Sequence, residues 1–500
     1  MDNSIESENS NRLSRFGLIA GFFTFVVLNL VGPPDSLLSA GYKAEAWITL
    51  ALLLLMAIWW VTEAVPIPVT SLLPLIVLPL FGVLPIAKVA APYMHPIVVL
   101  LMGGFIFAKA IERWGLHERI ALHVVSKAGG SSMGLIGGFM LASALLSMWI
   151  SNSATSIMMM PIAISVSMAI KSDGQDNEPF TIALLLGIAY ACSIGGLGTP
   201  IGTPTNLIVM GYLSEQSGIE ISFAQWMMLG LPAVLILLPL AWLVLTKLAF
   251  DLPKTDISAA KQKVSHRLLE LGSISVPERR TLMVFFVIAF MWMFRRLLNA
   301  WEFTIGNDTY TPLSGLTDHM TAITAVILCF LVPAGGKIKK AEKLLNWSAA
   351  EKIPWGVLLL FGGGMSLALA ISSTGLSAYI GSSLSAFFSL PTPILILIIA
   401  LLVLSLTEVT SNVATASALM PVLGAIAIET GLPIELMAAP LALAASCAFM
   451  LPMATDPNAV VFATGKVGLS TMAKTGFKLN LIALIAITLL AYYIAPLALA

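Results

Sequence analysis

The chain has 500 residues, of which 58% are apolar and only 10% are charged, and its mean hydropathy is +0.94. Soluble domains contain about 25% charged residues, so the composition excludes a soluble protein and equally a disordered one. The 26 Lys and Arg residues balance the 26 Asp and Glu residues, which leaves no basic surface for nucleic acid. We therefore expect an integral membrane protein, because this much apolar surface is buried only against lipid or other apolar helices.

The apolar segments follow one another along the whole chain. Residues 1–16 are polar and acidic and do not resemble a cleaved secretory signal. A helix needs about 20 apolar residues to cross the membrane, and segments near this length occur at 16–32, 44–63, 68–85, 96–112, 134–149, 180–195, 227–250, 281–300, 320–333, 355–371, 393–406, 437–450 and 478–498. Several are short or interrupted by Gly, Pro and polar residues, so we predict an all-α polytopic membrane protein with about eleven transmembrane helices plus two re-entrant hairpins.

The second half of the chain repeats the first. GGFIFAKAIERWGL at 103–116 matches GGMSLALAISSTGL at 363–376, and SNSAT at 151–155 matches SNVAT at 411–415, with the same offset of 260 residues. GTPTN at 202–206 faces ATDPN at 454–458 at an offset of 252. Two copies of one unit are typical of secondary transporters.

Charge indicates how the copies are oriented. Arg113, Arg119 and Lys127 follow the first copy, whereas the matching stretch 372–390 has no charge. Because basic flanks face the cytoplasm, opposite flanks favour an inverted repeat. The long polar stretch 251–280 is rich in Lys and Arg and is predicted to be cytoplasmic.

Two segments place polar residues in apolar surroundings. SMWISNSATSIMMMP spans 147–161, and LTEVTSNVATASALMP spans 406–421. If each is the tip of a re-entrant hairpin, backbone that leaves the helix exposes carbonyl groups that suit Na⁺ and N–H groups that suit a carboxylate. The alternative is that Ser and Thr bond within a helix while Asn holds helices together.

Two further segments interrupt apolar spans with Pro and small residues, GGLGTPIGTPTNLI at 195–208 and LPMATDPNAVVF at 451–462. Such sequences predict two broken helices, which form substrate sites in secondary transporters. A simple proline kink is the alternative interpretation.

The two SNxAT tips, the two broken-helix motifs and WWVTEAVPIPVTSLLP at 59–74 together resemble the divalent anion:sodium symporter family, of the bacterial dicarboxylate carrier type. The resemblance extends from Trp59 to Gly465. It implies a homodimer in which each protomer has a scaffold part and a transport part that moves like an elevator. It also implies the following division of the chain: 1–130, first scaffold half; 131–250, first transport half with hairpin and broken helix; 251–280, cytoplasmic connecting segment; 281–385, second scaffold half; 386–500, second transport half.

The resemblance also implies site residues. One Na⁺ site would use Ser147, Ser151, Asn152 and Gly202, and a second would use Thr407, Thr410, Asn412 and Ala454. The substrate would contact Asn152, Ser153, Asn412, Val413, Thr455 and Asp456. Amide and hydroxyl donors suit an anion whose charge an adjacent Na⁺ offsets.

The chain departs from the family pattern at three positions. Ser153 replaces the usual Thr and keeps a hydroxyl, whereas Val413 replaces the other Thr and removes a donor, which costs about 1–3 kcal/mol if a carboxylate is left unpaired. Asp456 stands where the family usually has Pro, and a carboxylate beside an anion site is repulsive unless it is protonated or faces a cation. We hypothesise that the substrate range differs from that of succinate carriers and that Asp456 binds a coupling cation or titrates.

Other ionisable residues are weaker candidates. Glu408 in the second tip either binds an ion or braces the hairpin, and Glu63 is expected to be structural. The chain contains no HExxH, GxSxG or Walker motif, so we do not expect an enzyme.

We therefore predict a secondary active transporter of the bacterial inner membrane that carries a small divalent anion, a C4 dicarboxylate such as succinate, coupled to Na⁺. The alternatives are an anion exchanger, a proton-coupled carrier of another anion such as citrate or sulfate, and a channel.

Overall fold

The computed structural model describes residues 2–34, 38, 43–169, 178–252, 257–336, 342–379 and 390–499. In the first half the helices are α1 Asp2–Val31, α2 Ala44–Thr62, α3 Ile67–Thr70, α4 Leu73–Leu80, α5 Ile86–Ala90, α6 Pro96–Arg113, α7 Leu116–Ser126, α8 Ser132–Ser147, α9 Asn152–Ala169, α10 Glu178–Gly196, α11 Pro204–Ser217 and α12 Phe223–Leu243. A 3₁₀ turn, Ala91–Met94, precedes α6, and a π-helical turn, Val244–Ala249, extends α12.

In the second half the helices are α13 Ser258–Glu270, α14 Val276–Met293, α15 Arg295–Asn299, α16 Asp318–Leu331, α17 Trp347–Ala350, α18 Trp355–Thr374, α19 Thr392–Thr407, α20 Asn412–Thr430, α21 Glu435–Ala445, α22 Asp456–Ala463, α23 Leu469–Tyr493 and α24 Ala495–Leu499. A 3₁₀ turn, Pro452–Ala454, precedes α22. Two short antiparallel strands, β1 Phe303–Ile305 and β2 Asp308–Tyr310, form a hairpin in which Phe303 pairs with Tyr310.

Within the described residues, eight helical stretches of 18 residues or more are long and apolar enough to cross a membrane, and shorter apolar helices accompany them. Every predicted apolar segment overlaps at least one helix, and three of them, 68–85, 281–300 and 478–498, are each divided between two helices. The described chain is mostly helical with several apolar spans, as predicted, because a backbone in lipid must satisfy its own hydrogen bonds. The short β1–β2 hairpin departs from the all-α prediction. Residues 253–256 of the polar stretch and 380–389 of the uncharged stretch lie outside the described residues, as does the predicted boundary between 385 and 386.

The polar stretch between the halves folds against the first half. Arg267 on α13 binds Glu118 of α7 at 2.8 Å and Glu270 at 3.0 Å. Arg119 of α7 binds Glu278 at the start of α14 at 2.7 Å, and both side chains are largely buried. Hydrogen bonds from Arg267 lower the pKa of the Glu270 carboxyl. The connecting segment is thus docked on α7.

The core surrounds α10 and α21. Every residue of α21 is buried, as is nearly all of α10, because other helices cover them on all sides. Small residues allow close approach: a Cβ built at Gly195 would lie 2.4 Å from the Ala144 carbonyl oxygen of α8. Several pairs of elements interlock the halves, among them α6 with α16, α9 with α22 and α11 with α20. A second, smaller apolar cluster joins α2, α4 and α18.

Candidate functional site

The first SN motif lies in a tight turn between α8 and α9. The Ser147 hydroxyl, at the end of α8, donates a hydrogen bond to Asn152 Oδ1 at the start of α9. The Ser151 hydroxyl accepts from the Ala154 N–H at 3.2 Å, so it caps α9 as serine commonly does. The Asn152 side chain is therefore held back against the preceding helix.

The first break separates α10, which ends at Gly196, from α11, which begins at Pro204. The Asn206 amide donates to the carbonyls of Gly196 at 3.0 Å and Thr199 at 2.8 Å. The Thr199 hydroxyl donates to the Met148 carbonyl at 2.5 Å, which ties the break to the first turn. Side chains thus satisfy backbone groups that a continuous helix would have paired.

The turn and the break bring oxygen atoms together. A Cβ built at Gly196 would lie 2.9 Å from Asn152 Oδ1 and 3.2 Å from the Gly202 carbonyl oxygen. Both oxygens therefore border one small space that only a glycine leaves open. Of the residues predicted for the first Na⁺ site, Ser147, Asn152 and Gly202 meet here, and Ser151 lies in the adjoining cap.

The second SN motif repeats this arrangement between α19 and α20. The Thr407 hydroxyl lies 2.8 Å from Asn412 Oδ1 and 2.8 Å from the Ala445 carbonyl oxygen at the end of α21. The Ser411 hydroxyl accepts from the Ala414 N–H at 3.1 Å. Thr407 and Asn412 stand 260 residues after Ser147 and Asn152, so the repeat seen in the sequence is also a repeat of hydrogen bonds.

The second break, between α21 and α22, is braced like the first. The Asn458 amide donates to the carbonyls of Ala448 at 3.1 Å and Leu451 at 3.0 Å, and these residues match Gly196 and Thr199 at the offset of 252. The side-chain oxygens Asn206 Oδ1 and Asn458 Oδ1 are buried and have no hydrogen-bond partner among the described residues.

Two residues predicted for the second Na⁺ site have local partners instead. The Thr410 hydroxyl lies 2.5 Å from that of Thr415 and donates to the Leu406 carbonyl at 2.9 Å. Ala454 is buried in the break, where its N–H donates to Leu451. In the described part of the chain no hydrogen bond joins either residue to Asn412.

Glu408 braces the second hairpin. Its carboxylate accepts from the backbone N–H groups of Phe449, Met450 and Leu451 at 2.8–3.1 Å and from the Asn480 amide at 2.6 Å. Four donors thus surround one buried carboxylate and fix the turn to the break. The other acidic candidate, Glu63, is exposed at the C-terminal end of α2.

The predicted substrate residues other than Asn152 and Asn412 each have contacts of their own. The Ser153 hydroxyl donates to the Asp456 carboxylate and so links the first hairpin to the second break. Val413 is half-buried and packs against both apolar clusters. The Thr455 hydroxyl accepts from the Asn458 N–H at 3.3 Å and caps α22.

Asn206 and Asn458 were not assigned a role from the sequence, and neither were other polar residues near the site, Thr205, Ser446 and Asn480. The Thr205 and Ser446 hydroxyls are buried and lie 2.7 Å apart, which joins the two breaks directly. Asn480, the partner of Glu408, lies on α23. Thr205 belongs to the GTPTN motif, but nothing in the sequence around Ser446 or Asn480 indicates these contacts, which join residues distant along the chain.

Residues 16–499 match the family model described as the sodium:sulfate symporter transmembrane region. The chain belongs to this family. The sequence motifs indicated the same family, there called the divalent anion:sodium symporters, and that prediction is confirmed. The protein is a multi-pass membrane transporter and not an enzyme, as predicted, and the bacterial transporters that it matches belong to the cytoplasmic, or inner, membrane.

Relatives agree with this assignment, and two solved structures share the fold. The chain is 40% identical to the sodium-dependent dicarboxylate transporter SdcS of Staphylococcus saprophyticus, over 99% of this chain and 94% of that protein. It is 39% identical to SdcS of Staphylococcus aureus, over 97% of this chain and 91% of that protein. The YdaH transporter of Alcanivorax borkumensis has a similar fold, with a TM-score of 0.57, 15% identity and coverage of 83% and 88%. MtrF of Neisseria gonorrhoeae has a similar fold too, with a TM-score of 0.57, 15% identity, and coverage of 84% of this chain and 84% of that chain.

Proposed function

We propose that the protein carries a C4 dicarboxylate across the membrane together with Na⁺. The observation that carries this proposal is the pair of half-sites, Ser147 with Asn152 and Thr407 with Asn412, each backed by a break that an asparagine braces. The family and the relatives named as sodium-dependent dicarboxylate transporters support it.

Electrostatics explains why Na⁺ would be required. The Asn, Ser and Thr side chains of the half-sites are neutral, and Asp456 adds a negative charge. A dianion loses its hydration on entering such a site, and neutral donors compensate for only part of the loss. A cation held by carbonyl and amide oxygens at each turn would offset the rest. Na⁺ is in this account a co-transported ion.

We assign the roles of the site residues accordingly. The oxygens of Ser147, Ser151, Asn152 and Gly202 would hold one Na⁺, and those of Thr407, Thr410, Asn412 and Ala454 would hold the second. The substrate would bind between the turns, beside Asn152, Ser153, Asn412, Val413, Thr455 and Asp456. The second Na⁺ site would require the Thr410 hydroxyl to exchange its contact with Thr415 for the ion.

The proposal also includes the movement by which the protein transports its substrate. The two helical hairpins would be re-entrant, the two copies would lie inverted in the membrane, and about eleven helices would span it. Parts 131–250 and 386–500 would move as one transport body against the scaffold 1–130 and 281–385, in an elevator motion within a homodimer. The contacts Ser153–Asp456 and Thr205–Ser446 support a common body, since they join the two transport parts directly.

Uptake into proteoliposomes tests the transport activity. Radiolabelled C4 dicarboxylate should accumulate above its equilibrium level only with an inward Na⁺ gradient, and the rate should saturate with substrate. Accumulation driven equally well by a proton gradient would indicate a proton-coupled carrier. Uptake that requires an internal anion would indicate an exchanger. Flux without saturation or Na⁺ dependence would indicate a channel and overturn the proposal.

A further inference from the structure

The two half-sites differ in charge. Aligned at their offset, GTPTN and ATDPN place Pro204 of the first break opposite Asp456 of the second. Aligned at 260, the two tips place Ser153 opposite Val413. The second half-site therefore lacks the hydroxyl that the first has, and it contains a carboxylate where the first has an uncharged ring.

The carboxylate of Asp456 already uses a donor that an anion would need. Asp456 is the first residue of α22, where the positive end of the helix dipole favours negative charge. It also accepts the hydrogen bond from the Ser153 hydroxyl, across the boundary between the halves. A second carboxylate arriving here would meet a like charge in place of free donors.

Asp456 is nevertheless open to a ligand. Its side chain is exposed, whereas the neighbouring Thr455 and Asn458 are buried. Over the described residues no Lys, Arg or His side chain forms an ion pair with it. An exposed carboxylate beside a substrate site, without a cation from the protein, is suited to a positively charged group on the ligand.

We propose that Asp456 binds an ammonium group of the substrate, so that the protein prefers an amino dicarboxylate of the aspartate type over a plain dianion such as succinate. This rests on the proposed function and names its substrate class. The substrate carboxylates then interact with Asn152, Asn412 and Na⁺, while the ammonium group faces Asp456. Selectivity arises because the plain dianion leaves Asp456 with a like charge nearby and no counter-charge.

Competition against Na⁺-dependent uptake tests the proposal. Unlabelled L-aspartate should inhibit wild-type uptake at a concentration about tenfold or more below that of succinate. The selectivity ratio is the inhibitory concentration of succinate divided by that of L-aspartate. Asp456→Pro, which restores the residue of the first copy, and Asp456→Asn, which removes only the charge, should each reduce this ratio about tenfold or invert it. Glu178→Gln is the matched control, because Glu178 is also an exposed acid at the first position of a helix, and its ratio should equal that of the wild type.

The results that would overturn this inference differ from the result that would overturn the proposed function. A wild type that prefers succinate overturns the proposal and leaves Na⁺-coupled dicarboxylate transport intact, and this ratio decides the matter even if the Asp456 variants do not fold. An Asp456→Asn variant with the wild-type ratio but an altered Na⁺ requirement also overturns it, because the carboxylate would then face an ion. If neither compound is taken up in a Na⁺-dependent manner, the proposed function itself is overturned.

Discussion

At the scale of single residues, two asparagines hold the broken helices in shape. Asn206 and Asn458 each donate to two backbone carbonyls at or within a break, Asn206 to those of Gly196 and Thr199, and Asn458 to those of Ala448 and Leu451. An aspartate has no N–H groups, so Asn206→Asp would leave two buried carbonyls without donors. We expect the free energy of unfolding to fall by about 1–3 kcal/mol per carbonyl.

Thermal unfolding in detergent measures this effect. The matched control is Asn307→Asp, in the exposed turn of the β-hairpin, which should unfold near the wild-type temperature. Equal unfolding temperatures for the two variants would contradict the bracing role of Asn206.

A second residue-scale prediction concerns the glycine of the first break. A Cβ at Gly202 would lie 2.4 Å from the Gly196 carbonyl oxygen, closer than a side chain can approach without moving the backbone. Gly202→Ala should therefore lower Na⁺-dependent uptake more than about tenfold, since a displacement of this size disturbs a binding geometry. Gly130→Ala, where a Cβ would meet nothing within 4 Å, is the control. Wild-type uptake by the Gly202→Ala protein would show that the space is not needed.

At the scale of elements, Glu408 fastens the second hairpin to the second break. Glu408→Gln replaces a carboxylate that accepts from four donors by a group with one oxygen, and directs an N–H₂ group toward backbone N–H groups. We expect a loss of stability of about 1–3 kcal/mol together with weaker uptake. The unfolding temperature in detergent and the uptake rate provide the two measurements.

Glu351→Gln, an exposed change at the end of α17, is the control for this variant. If Glu408 instead bound a coupling ion without bracing the fold, Glu408→Gln would alter the Na⁺ dependence while its unfolding temperature matched that of the control.

The elements also show what the sequence can and cannot predict. The offset of 260 residues locates the Ser147–Asn152 and Thr407–Asn412 pairs, because a repeated motif implies a repeated local geometry. The contact between Glu408 and Asn480 was beyond prediction, since Asn480 lies on a separate apolar helix 72 residues further along the chain. Thr205 and Ser446 are 241 residues apart, and only the packing of the two halves brings them together.

At the scale of the whole molecule, the proposed motion can be arrested by a cross-link. A Cβ built at Gly364 of α18, in the proposed scaffold, would lie 3.7 Å from the Cβ of Ser417 of α20, in the proposed transport body. This separation suits a disulfide. Oxidised Gly364→Cys/Ser417→Cys protein should therefore lose uptake and regain it on reduction.

The native cysteines Cys192, Cys329 and Cys447 are buried, so they do not compete for the oxidant. The two single-cysteine variants are the controls and should be insensitive to it. Full uptake by the cross-linked protein would contradict a movement between α18 and α20.

The central claim is that two repeat-related half-sites together bind one dicarboxylate with Na⁺. The most direct test is equilibrium binding of radiolabelled succinate and L-aspartate to the purified protein over a range of Na⁺ concentrations, with Asn152→Ala and Asn412→Ala alongside. We predict binding that requires Na⁺ and an affinity at least about tenfold lower in each variant. Binding that is independent of Na⁺, or wild-type affinity in either variant, would contradict the account.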